Sequence, residues 1–271
     1  MLVRANVVLL LALALPTLAI ADISNAAAAA LCASYPGKFH FDATANEIVW
    51  PDNTRMPFGS PRPDLAFEDR LATATLYDQM SIPYPREWPQ SPPSKDADPG
   101  RMRCDTFLKK LYGDTAVEVE KNLARVSWPP AGAGKTVRFT TINSAHKSLE
   151  KVGEAIAQLG PEVRDYVSRP NGTFNWRPIA GTDRLSPHSY GIAIDFDIQH
   201  LPNQYWRWAK DKNATASSYP AEILKDTALR QVVEIFEQNG FIWGGKWYHY
   251  DLMHFEYRPE LLYRIDAPKT K

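Results

Sequence analysis

From residue 135 onward the hydrophobic and polar positions fall into two periods. Over Thr136–Ile142, Val137, Phe139 and Thr141 alternate with polar neighbours, which predicts a strand. Ala145, Leu149, Val152, Ile156 and Leu159 then recur every three or four residues, predicting an amphipathic helix that Gly160-Pro161 ends. A second helix is expected from Ala221 to Asn239, burying Leu229, Val232, Ile235 and Phe236, with Gly240 placed to cap it. Strand-like pieces lie at Tyr190–Ile198 and Met253–Tyr257, and two short helices are expected upstream, at Cys104–Tyr112 and Ala116–Arg125. Helices and short strands intermix without regular alternation, which reads as an α+β fold.

The first residues carry a different pattern. Arg4 precedes an apolar run from Val7 to Ile20, interrupted only by Pro16 and Thr17, and Ala19-Ile20-Ala21 has the small-x-small form of a signal-peptidase site. Residues 1–21 are therefore expected to be a signal peptide cleaved before Asp22. A bilayer span needs about 20 unbroken apolar residues, so no stable membrane span is expected after cleavage. Export, to the periplasm or the medium, changes the meaning of the two cysteines, Cys32 and Cys104. In an oxidising compartment they predict one disulfide, and closing a loop of that length stabilises by roughly 4 kcal/mol. Neither belongs to a C-x-x-C pair, which removes support for a thiolate zinc site or a redox motif.

Composition adds two constraints. The 271 residues hold 31 Lys+Arg against 31 Asp+Glu, so there is no basic footprint for nucleic acid or for an anionic membrane surface. Ten of the 22 prolines fall in residues 51–100, where irregular structure with short helices is expected. Trp50, Phe58, Phe67, Tyr77, Tyr84 and Trp88 are interspersed there, too many aromatics for a solvated linker. Residues 22–134 are accordingly read as an ordered, proline-rich N-terminal extension packed on a catalytic domain at 135–266.

Two segments concentrate chemistry. In the first, Ser186-Pro187-His188-Ser189-Tyr190-Gly191-Ile192-Ala193-Ile194-Asp195, strand alternation puts Ile192, Ile194 and Phe196 on one face. Asp195 then points to the other face beside small Ala193, and Gly191 lets the chain turn so that His188 folds back toward it. The second runs from Lys246 to Glu256 and supplies His254, with Asp251 three residues earlier. Two imidazoles and one carboxylate with an open fourth position are a catalytic zinc arrangement, and Asp251 is placed to act as general base. Glu256 is the rival base, because it shares a strand face with His254. His249, flanked by tyrosines, is read as a pocket-wall residue rather than a ligand.

These segments resemble the zinc D-Ala-D-Ala carboxypeptidase and L-alanyl-D-glutamate endopeptidase family, which cuts the stem peptides of peptidoglycan. Its S-x-H-x-x-G-x-A-x-D motif is matched by Ser186, His188, Gly191, Ala193 and Asp195, and its acid-x-x-His motif by Asp251 and His254. Trp176–Thr182, Gly240–Trp247 and, more distantly, Asp98-Pro99-Gly100-Arg101 resemble one branch of it. The resemblance implies a small antiparallel sheet flanked by helices, with a hedgehog/D,D-peptidase-like zinc site. It further implies one Zn2+ per chain on His188, Asp195 and His254, with Asp251 as catalytic base. Arg177 resembles the family arginine that stabilises charge on the scissile carbonyl oxygen, while Arg184 could instead clamp a substrate carboxylate. Ser186 would orient ligands or substrate. The implied activity is D-alanyl-D-alanine carboxypeptidase. An L-alanyl-D-glutamate endopeptidase, a D,D-dipeptidase and a non-catalytic zinc-stabilised wall-binding module are the alternatives.

Overall fold

A computed structural model describes residues 14–201, 203–207 and 219–263. Arg4 and the start of the apolar run lie outside the described residues. The expected cleavage point before Asp22 falls within a continuous helix, α1 (Ala14–Ser34), which also covers the alanine tract. Among the described residues no helix is long and apolar enough to cross a membrane.

The chain is α+β, built from short elements. After α1 comes an antiparallel meander of β1 (His40–Asp42), β2 (Glu47–Val49) and β3 (Arg55–Pro57). This sheet was not expected, because three-residue strands are too short to show alternation. Two short helices follow, α2 (Phe67–Ala72) and α3 (Leu76–Ser81), the second held by a Thr75/Asp78 capping box. The helices α4 (Asp105–Tyr112) and α5 (Ala116–Lys121) correspond to the expected pair, but the second stops early. Leu123–Ser127 is instead a strand, β4, fully paired with β5 (Thr136–Thr140) from Leu123↔Thr140 to Ser127↔Thr136. Its pairing with a partner nine or more residues away overrides the helical pattern that leads into it.

The expected amphipathic helix is α6 (Ala145–Ala157), followed by the single-turn α7 (Pro161–Arg164). A four-stranded antiparallel sheet carries the rest: β6 (Pro170–Gly172), β7 (Ala193–Phe196), β8 (Phe241–Trp243) and β9 (His254–Tyr257), in the order β6-β7-β9-β8. The expected second helix divides into a 3-10 stretch, Ala221–Lys225, and α8 (Thr227–Gln238). Asp226 marks the break, its carboxylate accepting from the Leu229 amide at 2.9 Å. A last turn, α9 (Pro259–Leu262), follows β9.

One face of this sheet is apolar. Ile194 and Phe196 of β7 and Phe255 of β9 are buried against Phe236 of α8, with the Phe236 and Phe255 rings stacked at 4.0 Å, while Trp128 stacks on Phe196 at 5.5 Å. The same buried cluster extends back to Ala28 and Leu31 of α1, to Tyr35 just after it, and to Trp50 and Phe107, so the proline-rich half contributes to it directly. Trp88 lies flat on Trp243 at 5.5 Å, and the Tyr84 hydroxyl donates to Glu237 and accepts from the Trp243 amide at 3.0 Å. Beside it, Lys246 Nζ meets Glu237 Oε1 at 2.6 Å and donates to the Pro85 carbonyl at 2.9 Å, in a setting where the lysine side chain is 1% exposed. Removing one member of such a pair strands the other, so Lys246→Met is expected to cost about 3–5 kcal/mol, measured by denaturant unfolding. A change within ±0.5 kcal/mol would show that the pair does not hold the proline-rich segment down.

The expected Cys32–Cys104 disulfide is not formed; both are free thiols. Cys32 is a half-buried residue of α1 packed on the core, whereas Cys104 is the buried N-cap residue of α4, its sulfur 3.2 Å from Thr106 Oγ1. Burial pushes the Cys32 thiol up to about 11 and the Cys104 thiol above its ordinary value, which leaves neither reactive.

Candidate metal centre and its cavity

β7 and β9 lie side by side in the register Asp195↔His254 and Ala193↔Glu256. Since alternate residues share a face, the side turned away from the core carries Asp195, His254 and Glu256, with Ala193 leaving room between them. His188 reaches this face from a 3-10 turn, Pro187–Tyr190, opened by Ser186, whose hydroxyl accepts from the His188 amide at 3.4 Å. Gly191 closes the turn at φ +65°, and a Cβ there would lie 2.5 Å from Leu123, so only glycine fits.

The three side chains converge with defined orientations. His188 Nδ1 donates to the Thr173 carbonyl at 2.9 Å, which leaves Nε2 facing Asp195 Oδ2 at 3.2 Å. His254 presents Nδ1 to Asp195 Oδ1 at 2.8 Å and Nε2 to Glu256 Oε2 at 3.5 Å. One ligand atom from each of His188, Asp195 and His254 lies within 4.8 Å of the others. Two imidazole nitrogens, their rings backed by Thr173 and Glu256, and a carboxylate oxygen are the donor set of a zinc-type site.

Charge is concentrated here. Burial opposes ionisation of Asp195, yet His188 and His254 hold its carboxyl far below the usual range. Burial likewise disfavours charge on His254, but Asp195 and Glu256 raise it to about 10. The pair therefore retains a proton at neutral pH, which a cation would have to displace.

Asp251 sits at the edge of this group. Its amide donates to the Gly244 carbonyl at 3.0 Å, and its own carbonyl accepts from the His254 amide at 3.2 Å, so acid and imidazole share one tight turn. A side chain at Gly244 would collide with the Asp251 backbone. Asp251 Oδ1 is shielded from solvent and has no hydrogen-bond partner among the described residues. Burial pushes the carboxyl up to about 7, with Asp195 and Glu256 adding to the effect against His254.

Glu256, the rival base, is placed differently. It is fully buried, its Oε1 accepts from Arg258 Nη1 at 3.1 Å, and it is not among the described residues lining the cavity. Arg258 in turn reaches Glu260 at 2.5 Å, and Glu260 accepts from Tyr35 at 2.8 Å and Gln79 at 3.0 Å. A chain of buried polar contacts thus runs from Tyr35, just after α1, and from Gln79 of α3 to His254.

The site opens into a cavity of about 620 Å³. Arg177, Arg184 and Ser186 all line it. Arg177 is exposed at the rim, its carbonyl tied to the Ser186 amide at 3.0 Å and the Ser189 hydroxyl at 2.9 Å. Arg184 is engaged elsewhere: Nη2 donates to the Arg101 and Arg103 carbonyls at 3.0 and 3.2 Å, and Nε lies 3.5 Å from Asp105. His249 is on the wall as expected, its Nδ1 2.6 Å from Asp98, a residue with no solvent exposure. The sequence did not single out Arg103, and it offered Trp247 only as the end of the Gly240–Trp247 stretch. Trp247 packs edge-on against His254 at 5.7 Å, over Gly100, where a Cβ would collide with its ring. Only the Asp98–Arg101 stretch hinted that this part of the chain reaches the site.

Residues 180–257 match a family model described as D-alanyl-D-alanine carboxypeptidase. The matched stretch holds His188, Asp195, Asp251 and His254, and over it the resemblance to that peptidase family is borne out. Arg177 and the residues near 100 lie ahead of it. No curated protein and no solved structure matches the chain.

Proposed function

We propose that the chain is an exported zinc peptidase that hydrolyses peptidoglycan stem peptides, releasing the terminal D-alanine. The observation that carries this reading is the convergence of His188, Asp195 and His254 beside Asp251 at the floor of a cavity, inside the stretch that matches the peptidase family. Zinc supplies Lewis-acid polarisation of the scissile carbonyl and acidifies water to near neutrality. His188, Asp195 and His254 would hold it, with Thr173 and Glu256 fixing the two rings. Asp251 takes a proton from the attacking water and returns it to the leaving amine. Its unpartnered oxygen is the acceptor available for that transfer. Arg177, free at the rim, stabilises charge on the carbonyl oxygen. Ser186 positions His188, and Arg184 braces the wall. Export follows from the apolar N-terminal run and from where such peptides occur.

The test is digestion of defined stem peptides with and without a chelator, read by mass spectrometry. Chelator-sensitive loss of one D-Ala is expected. Cleavage between L-Ala and D-Glu would assign the endopeptidase instead, and no soluble product with retention on sacculi would assign a binding module.

Glu256 acts through His254. Glu256→Gln is expected to keep the acceptor for Arg258 while weakening the hold on His254 Nε2, lowering zinc affinity by about 10–100-fold in a competition titration. Unchanged affinity with lost turnover would return Glu256 to candidacy as the base.

A further inference from the structure

The arginines around the cavity are not equivalent. Arg184 spends its donors on two carbonyls and Asp105, and Arg101 contacts Asp98 and His249. Arg103 is 3% exposed and lines the same cavity as His188, Asp251 and His254, yet among the described residues its side chain makes one hydrogen bond, from Nη1 to the Gly100 carbonyl at 2.6 Å. Its Nε and Nη2 are shielded from solvent and have no partner among the described residues. Leaving charged donors buried and unpaired is costly, so a fold that keeps them has a use for an anion there. Burial lowers the Arg103 pKa to about 10, with Arg184 acting in the same direction and Glu256 against it, so the group remains a cation at neutral pH.

The Nε–Nη2 edge is the side of a guanidinium that takes both oxygens of a carboxylate at once. Nη1, fixed by Gly100, sets the plane of that fork. We propose that Arg103 receives a carboxylate of the peptide substrate on its Nε–Nη2 edge, making it a specificity residue supplied by the chain ahead of the matched stretch. The inference rests on the peptide-hydrolysis reading above. A shielded cation forms a strong charge-assisted pair with a carboxylate and penalises a ligand that lacks one, because the donors then stay unsatisfied.

The experiment compares zinc-loaded wild type, Arg103→Gln and Arg103→Lys on three peptides: a stem peptide with a free C-terminus, its C-terminal amide, and the peptide with its internal acidic residue amidated. One of the two amidations is expected to lower wild-type kcat/KM by about 100-fold, mainly through KM. Arg103→Gln should lose as much on the unmodified peptide and be indifferent to that amidation, with zinc content unchanged. Arg103→Lys should recover part of the preference. Which amidation matters identifies the carboxylate. Wild type that ignores both amidations, or an Arg103→Gln protein that loses equally on all three peptides, overturns the proposal. If Arg103→Gln does not fold, the comparison of Arg103→Lys with wild type decides it by the same ratio. If no peptide is hydrolysed, the peptidase reading fails, and titration of the same peptides into the zinc-loaded Asp251→Asn and Asp251→Asn/Arg103→Lys proteins settles carboxylate recognition. Tighter binding of the free acid that weakens in the second protein sustains it, and equal binding throughout overturns it.

Discussion

His188→Ala and His254→Ala proteins are expected to fold, to bind zinc more than ~100-fold more weakly than wild type, and to release no D-Ala from stem peptides. Loss of a contact behind a ligand already weakens a metal site by about 10–100-fold, so loss of the ligand itself exceeds that. The effect has two sources. Each imidazole is one of the three convergent donors found among the described residues, and each holds Asp195 from one side, at 3.2 Å for His188 and 2.8 Å for His254. Removing either also leaves the Asp195 carboxylate with a single partner among that set. Zinc retained at wild-type stoichiometry after dialysis in both variants would sink the assigned ligand set, whatever the activity.

The second large effect separates metal from proton transfer. Asp251→Asn preserves size and the backbone contacts to Gly244 and His254, but an amide cannot take a proton from water. Zinc binding is expected to be unchanged and kcat to fall by about 10²–10⁴-fold. The structural reason is specific. Asp251 Oδ1 has no partner among the described residues and burial pushes the carboxyl up to about 7, so without a cation it is poorly committed to the charged form. A divalent cation nearby favours the carboxylate and makes it a competent acceptor. Undiminished turnover by Asp251→Asn, with zinc bound, would end the role given to this residue.

How far the site could be read from the sequence depends on how local its information is. Ile194 and Phe196 against Ala193 and Asp195 is a period-two pattern within one strand, and the structure buries the first pair in the core. The core faces of α6 and α8 are equally local. His188 turning back through Gly191 needed only a glycine at the right offset, and its φ of +65° fits. What escaped was set by distant partners. Leu123–Arg125 looks helical until β5 pairs with it. Cys32 and Cys104 are two thiols in a row of letters, and only the packing of α1 and α4 shows that they do not bond. Arg103 carries no motif and Trp247 only closes the Gly240–Trp247 stretch; their importance comes from which cavity they line and which donors are already used. Glu256 and Asp251 are carboxylates two and three residues from His254 that only the acid-x-x-His motif separated in the sequence, and Arg258 occupies the first of them.

The pairing of Asp195 with His254 also dictates an order of assembly. His188 and Asp195 are joined by a single turn, so two donors can meet as soon as that turn and β7 form. His254 is 59 residues away from Asp195 and arrives only when β9 docks on β7. A slip of one residue would bring Phe255 opposite Asp195 and swing the imidazole into the apolar core. The three-donor set is thus complete only on a correctly zipped sheet, and on the proposed reading a newly made chain would lack its zinc site until its last strand is home.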